Sequence, residues 1–339
     1  MNKSFKSPLG PTGRFPQKEL STLKSFLDAS HIEYETDVAL SQKTWIKTGG
    51  TCGCWITPHD VTQLTELCRW LYKEKQKFEV VGHTSNIFFH STCNPTVVVC
   101  TTRVNDYSQE GDIVTCGCGV NVMRLSKDLL EQGYAGVCGL TSLPGTVASA
   151  VVGNAGCFKC SITALLQSLD CLLPDGTVKT YNREELRLSH RSSAFKRGEL
   201  EGVILSVRLH LEKASDVEEE KRKAEQLTQW RKRNQEGTAK NLGSTFSVLT
   251  MRKNLRNITA FCIAYIGSKL GIGPYRRLLK QSLLRLYGYH RIDAYVSDKN
   301  VNTFVWRDEQ AERVFPIYKE MINKNKIYNH AILEIEERT

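Results

Sequence analysis

The stretch "LPGTVASAVVGNAG" (residues 143–156) strings small residues together with no charge and no metal ligand, and its reading decides the fold. Two explanations compete. Gly, Ala and Ser let elements pack closely in a core. They also let a backbone come very near a ligand, with N–H groups aimed at phosphate. The segments on either side arbitrate.

Helical spacing of Leu20, Leu23, Phe26 and Leu27 predicts an amphipathic helix over 17–30, and "DVTQLTELCRWLYKEKQ" (60–76) predicts another, capped by Asp60. "CGCWIT", "FEVVG", "TVVVCT" and "DIVTCGCGV" read as strands, so the first hundred residues alternate α and β. A helix over 121–136 ends near Gly133. "QSLDCLLPDGTVKTY" is a hairpin turning at Pro174–Gly176, and "EGVILSVRLHLEK" is a strand. From about residue 213 the texture changes to a long charged helix with Leu227 and Trp230 on its sparse apolar face. A helical, basic portion follows, and "NHAILEIEERT" returns to a strand.

The chain has 339 residues, 40% hydrophobic and 24% charged, enough for two or three domains with real cores. "MNKSFKSPLGPTGRF" carries Lys3 and Lys6 but no apolar region behind them. The longest apolar stretch, around "ITAFCIAYIG", is about half a membrane span, so an unexported, cytoplasmic protein without a membrane span is expected. Twelve cysteines in so long a chain read as reduced thiols. Cys52/Cys54 and Cys116/Cys118 are C-x-C pairs in strands, and Cys157/Cys160 is a lone C-x-x-C without a second pair, so no metal is expected. The formal charge is +10, and residues 251–300 hold ten Lys or Arg against Asp293 and Asp298. That field suits an anionic partner, or else belongs to a solvated helix face.

Neither "VVGHTSNIFF" (80–89) nor the opening stretch is a G-x-G-x-x-G fingerprint or a P-loop, yet two short backbone loops can cradle one diphosphate. Reactive candidates lie further on: Arg191 in "SHRSSAFKRG", Ser244 after a Gly in "NLGSTFS", and Glu334 and Glu336, two residues apart on one strand face.

In order along the chain, "KTWIKTGG", "GHTSN", "GLTSLPGTVASAVVGNAGCF", "HRSSAFK", "GSTF" and "LEIE" resemble the FAD-dependent UDP-N-acetylenolpyruvoylglucosamine reductases, also called UDP-N-acetylmuramate dehydrogenases. The resemblance implies an α+β protein: a two-part PCMH-type FAD-binding module and a C-terminal α+β substrate-binding domain. The parts would run over 15–100 (completed by 330–339), 101–212 and 213–329. It implies NADPH reducing non-covalent FAD, and hydride transfer to the enolpyruvyl double bond of a UDP-sugar by a monomeric enzyme with no nucleic-acid partner. The residues at FAD would be Gly82, His83, Thr84, Ser85, Asn86, Leu143, Pro144, Gly145, Thr146, Ser149, Gly156 and Val203. Ser244 would donate a proton, Arg191 and Glu336 would stabilise the enol-like intermediate, and His190, Arg191 and Asn86 would bind substrate. A permanently charged planar Arg suits the charge that builds on the substrate carboxylate.

The chain departs from the family at His83 for a loop Gly, Ala148-Ser149 for Gly-Gly, and His190 for Tyr. It also lacks Lys-Asn-Pro after "GSTF", and "VSDKNVNTFVW" is only faintly similar to the family's His-containing segment. Two other readings therefore stay open: the same flavin fold acting on another nucleotide sugar, and a non-catalytic anion-binding relative.

Overall fold

A computed structural model describes residues 17–237, 240–247, 249–324 and 327–339. Lys3 and Lys6 lie outside them.

The N-terminal portion is built on a sheet of order β1-β2-β5-β3. Strands β1 (Glu33–Ala39) and β2 (Thr51–Thr57) are antiparallel, and β3 (Glu79–Val81) and β2 run parallel to β5 (Val97–Cys100). Alternation in β5 sends Val97 and Val99 to one core and Val98 and Cys100 to another. Helices α1 (Gln17–Ala29) and α3 (Val61–Lys73) cover the first of these faces, with Leu23, Leu27, Leu64, Leu67 and Leu71 buried. Asp60 accepts from the Gln63 N–H at 2.8 Å, the expected cap. A single turn, α2 (Leu40–Lys43), and the short strand β4 (Ile87–Phe89) complete this part.

The second sheet has the order β11-β10-β12-β7-β6 and is antiparallel throughout: β6 (Tyr107–Glu110), β7 (Ile113–Gly117), β10 (Leu166–Leu172), β11 (Val178–Asn182) and β12 (Val203–His210). The β10–β11 hairpin turns through Asp175–Gly176 as its sequence demands, with Gly176 at φ +84°. Helix α4 (Val122–Glu131), capped by Asn121, packs on this sheet and shares one core with α1 and α3. Helix α5 (Val147–Val152), the turn α6 (Ile162–Leu165) and the small hairpin of β8 (Gly156–Cys157) and β9 (Cys160–Ser161) lie between β7 and β10 in the chain.

The charged helix α7 (Val217–Asn234) leads to the third portion. Its core is helix α9 (Tyr275–Leu286), helix α10 (Ala311–Asn323) and an aromatic cluster of Phe246, Phe304, Trp306, Phe315 and Tyr318, with α8 (Leu255–Lys269) laid on α9. Ile46 and Phe88 from the N-terminal portion enter this cluster, and Phe88 meets Phe315 edge-on at 5.5 Å. Four short strands, β13 (Phe246–Ser247), β14 (Thr250–Met251), β15 (Tyr328–Asn329) and β16 (Ile332–Leu333), pair as β13–β16 and β14–β15. The last strand, β17 (Glu336–Arg338), runs back to pair in parallel with β4.

All twelve cysteines are free thiols. Burial pushes Cys52, Cys54, Cys116, Cys118 and Cys171 up to about 12, so they pack as small hydrophobes. Among the described residues no group of three or more His, Cys, Asp or Glu could hold a metal ion.

Candidate active site

The opening stretch does the first of the two jobs considered for it, close packing in the core. Val147, Ala150 and Val151 are buried in the core, and the N–H groups of Val147 and Ala148 donate to the carbonyls of Val120 and Cys118. Thr146 and Ser149 close a reciprocal capping box on the same turn. The N-terminus of α5 is therefore satisfied by protein and is not the anion site that the run of small residues suggested.

The free donors lie across from it. Among the described residues, the N–H groups of His83, Thr84, Ser85 and Asn86 donate to no protein acceptor. This loop faces the 143–149 turn closely. A Cβ on Gly82 would stand 2.8 Å from both Thr146 Cγ2 and Oγ1, and one on Gly145 would stand 3.2 Å from Ser149 Oγ and 3.7 Å from Ser85 Oγ. Thr84 holds a left-handed φ of +53°, and its hydroxyl accepts from the Trp45 N–H at 2.8 Å. Successive unpartnered amides on a strained turn are what an anion requires. His83 lies at the same junction. Burial lowers its pKa, so the ring is neutral near pH 7, and its buried Nδ1 has no partner. An open groove of about 450 Å³ adjoins the loop, lined by Lys43, Trp45, Lys47, Gly82, His83 and Arg103 among others.

Three distant segments meet at Glu334. Its N–H donates to the Thr245 carbonyl at 2.9 Å, and its own carbonyl accepts from Asn86 Nδ2 at 3.2 Å and Lys196 Nζ at 3.4 Å. Its carboxylate takes the Arg191 guanidinium at 3.1 Å. Arg191 occupies a turn closed by reciprocal Ser189–Ser192 bonds of 3.0 and 3.1 Å, with φ +53°. Asn154, from the end of the opening stretch, donates to the Ser189 carbonyl at 2.6 Å, and Ser193 Oγ donates to the Val152 carbonyl at 2.7 Å. The small-residue segment thus holds the Arg191 loop as well as facing the 82–86 loop.

Ser244 precedes Thr245 in the loop that leads into β13, exposed and directly after Gly243 at φ +74°. Asn302 fixes the backbone behind it: its carbonyl accepts from Thr245 N–H at 2.8 Å, and its side chain bonds both N–H and C=O of Phe246. Glu336 is placed differently from Glu334. The chain bends at Ile335, which is buried, so the two carboxylates do not share the single strand face expected of them. The Glu336 carboxylate meets Arg338 at 2.8 Å, while its N–H donates to the Asn86 carbonyl at 2.9 Å. His190 is an exposed corner of the Arg191 turn, Gly156 opens the β8–β9 hairpin, Val203 begins β12, and Leu143 and Pro144 lead into Gly145.

Reading by motif overlooked three contributors. Lys196 binds the carbonyls of Arg191 and Glu334, and the signal for it was the closing Lys of "HRSSAFK". Trp45 ties the 82–86 loop to the segment before Ser244, its N–H donating to the Thr84 hydroxyl and its Nε1 to the Asn241 carbonyl at 3.0 Å. Asn302 carries no signal beyond its place in a divergent motif.

Residues 53–182 match the FAD binding domain family. UDP-N-acetylenolpyruvoylglucosamine reductase from Halalkalibacterium halodurans is 27% identical over 215 residues, 63% of this chain and 70% of that one. The Caldicellulosiruptor saccharolyticus reductase is 24% identical over 191 residues, 56% of this chain and 62% of that one. The crystal structure of UDP-N-acetylenolpyruvylglucosamine reductase from Thermus caldophilus superposes with a TM-score of 0.62 at 20% identity, covering 91% of this chain and 99% of that one. The protein is an α+β flavoprotein with the PCMH-type FAD-binding fold. Within that class it is a divergent relative of the UDP-N-acetylenolpyruvoylglucosamine reductases.

Proposed function

We propose that the protein uses NADPH and FAD to reduce UDP-N-acetylglucosamine enolpyruvate to UDP-N-acetylmuramate, acting as a cytoplasmic monomer. The observation that carries this is the convergence on Glu334 of the 82–86 loop, the Arg191 turn and Thr245, the residue after Ser244, beside a cradle of unpartnered amides. On this reading Arg191 and Ser244 would flank the bound flavin.

The residues present fit FAD. The amides of 83–86 would hold its diphosphate, with Gly82 and Gly145 keeping side chains out of the way and Ser85 and Thr146 flanking it. Leu143, Pro144, Ser149, Gly156 and Val203 would complete the cofactor's surroundings. When bound, FAD supplies the hydride that NADPH provides.

The protein's own part is orientation and charge. Arg191, held by Glu334 and by the strained turn, would present its guanidinium to the substrate carboxylate, with His190 and Asn86 beside it. Negative charge builds there as the double bond is reduced, so a preplaced cation acts mainly on the transition state. Ser244 Oγ would give up the proton for the neighbouring carbon, and Glu336 would stabilise the enol-like intermediate from the β17 side. Glu334 neutralises Arg191 before substrate arrives, a duty the sequence did not assign.

The test is an anaerobic absorbance trace of the purified protein with FAD. NADPH should bleach the flavin bands, and UDP-N-acetylglucosamine enolpyruvate should restore them. Bleaching without recovery would refute this substrate, and no flavin bands after FAD addition would refute the reductase itself.

A further inference from the structure

Helix α8 is built inside out. Its buried residues are Asn257, Ala260, Ala264 and Gly267, which let it lie close on α9. Large apolar side chains face solvent instead: Leu255 is 78% exposed, Ile266 56% and, just past the helix, Leu270 72%, with Ile258, Ile263 and Ile272 beside them. Exposed apolar residues scattered singly need no explanation, but a contiguous set along one helix does.

The charge around this face is of one sign. From 237 to 292 the chain has no Asp or Glu and ten Lys or Arg. Arg252, Lys253 and Arg256 stand at the helix start and Lys269 at its end, and none of these four is in an ion pair among the described residues. The acids that follow are engaged elsewhere, since Asp293 and Asp298 pair with the buried Lys280. An apolar stripe flanked by unpaired cations matches a lipid surface with anionic headgroups, where chains take the apolar residues and headgroups the cations. A second copy of this chain fits poorly, because a two-fold contact through α8 would bring the same cations together. No helix among the described residues is long and apolar enough to cross a membrane, so the contact lies in the plane of the surface.

We infer that α8 and the turn to Ile272 dock the protein peripherally on an anionic lipid bilayer. This inference stands apart from the reductase reading, since α8 contributes no residue to the site. Flotation of the full-length protein with vesicles of phosphatidylcholine, alone or mixed with phosphatidylglycerol, tests it. Binding should be at least roughly tenfold stronger on the anionic vesicles and should weaken with salt. Ile263→Ser with Ile266→Ser, or Lys253→Gln with Arg256→Gln, should abolish it while circular dichroism and melting stay unchanged, as expected for exposed positions. Flotation on neither vesicle, or equal flotation on both, overturns the inference. So does a dimer by light scattering that the Ile263→Ser/Ile266→Ser variant dissociates, without flotation, which would assign the face to a second copy.

Discussion

Gly82→Ala is the sharpest test of the loop-to-loop contact. The new Cβ would stand 2.8 Å from two atoms of Thr146, closer than side chains pack. Thr146 is 1% exposed, and its hydroxyl accepts from the Ser149 N–H at 3.3 Å as the cap of α5. Swinging it aside forfeits the cap, at a cost of about 1 kcal/mol. Keeping it in place forces the two loops apart, and overpacking of this kind costs about 1–3 kcal/mol. Either way the loss falls between roughly fivefold and 150-fold in an equilibrium constant. It should appear as weaker FAD binding if the loops part, or as lower stability of the FAD-free protein if they do not. Fluorescence titration with FAD and urea unfolding read the two separately. Thr146→Ala removes both clashing atoms, so adding it to Gly82→Ala should cost less than the two single losses combined. Unchanged FAD affinity and unchanged unfolding in Gly82→Ala, or strict additivity in the double variant, would refute the contact.

Ser244→Ala should keep FAD and the NADPH half-reaction but slow substrate-driven reoxidation by about 10²–10⁴-fold in stopped flow, the range for loss of a positioned proton donor; normal reoxidation would remove Ser244 from the mechanism. Glu334→Gln and Glu336→Gln should differ: the first leaves Arg191 without its counter-charge and should alter KM for the enolpyruvyl substrate, whereas the second should lower kcat, and steady-state kinetics separates them. Cys138 and Cys160 lie 3.8 Å apart, sulfur to sulfur. Their hydrogen bond lowers Cys160 and raises Cys138, so Cys160 is the more acidic thiol of the pair. Its alkylation, followed by peptide mass spectrometry, should outpace that of Cys138 at pH 7 and slow as the thiolate is protonated at lower pH; equal rates for the two would refute the assignment.

What the sequence made legible was mostly local. Asp60 caps α3 because an Asp before an apolar-periodic run has a nearby amide to accept from, and the turn at Asp175–Gly176 follows from Gly's freedom at φ > 0. The ordered motifs located Gly82–Asn86, Gly145, Arg191 and Ser244 because each sits on a short backbone device whose residue types are restricted. Which carboxylate meets Arg191 was not legible. Glu334 lies 143 residues from Arg191, and strand alternation alone treats it as equivalent to Glu336. The bend at the buried Ile335 breaks that equivalence, and it arises from two pairings made by different partners: β16 with β13 on one side and β17 with β4 on the other. No periodicity encodes such a change of partner.

The reading of "ITAFCIAYIG" stopped short of its buried face for a related reason. Apolar content set the segment at about half a membrane span and assigned it no buried face. The structure places its small residues inward instead, because Ala260, Ala264 and Gly267 recur at the spacing of one helix face and permit a close approach to α9 that Ile or Phe would block. Total hydrophobicity therefore says little about which side of such a helix is buried; the positions of the smallest residues decide it. The opening stretch obeys the same logic. Its Gly and Ala positions allow close contact with the core and with the loop across the cradle, while Asn154, the one large polar side chain in it, reaches out to hold the turn that carries Arg191.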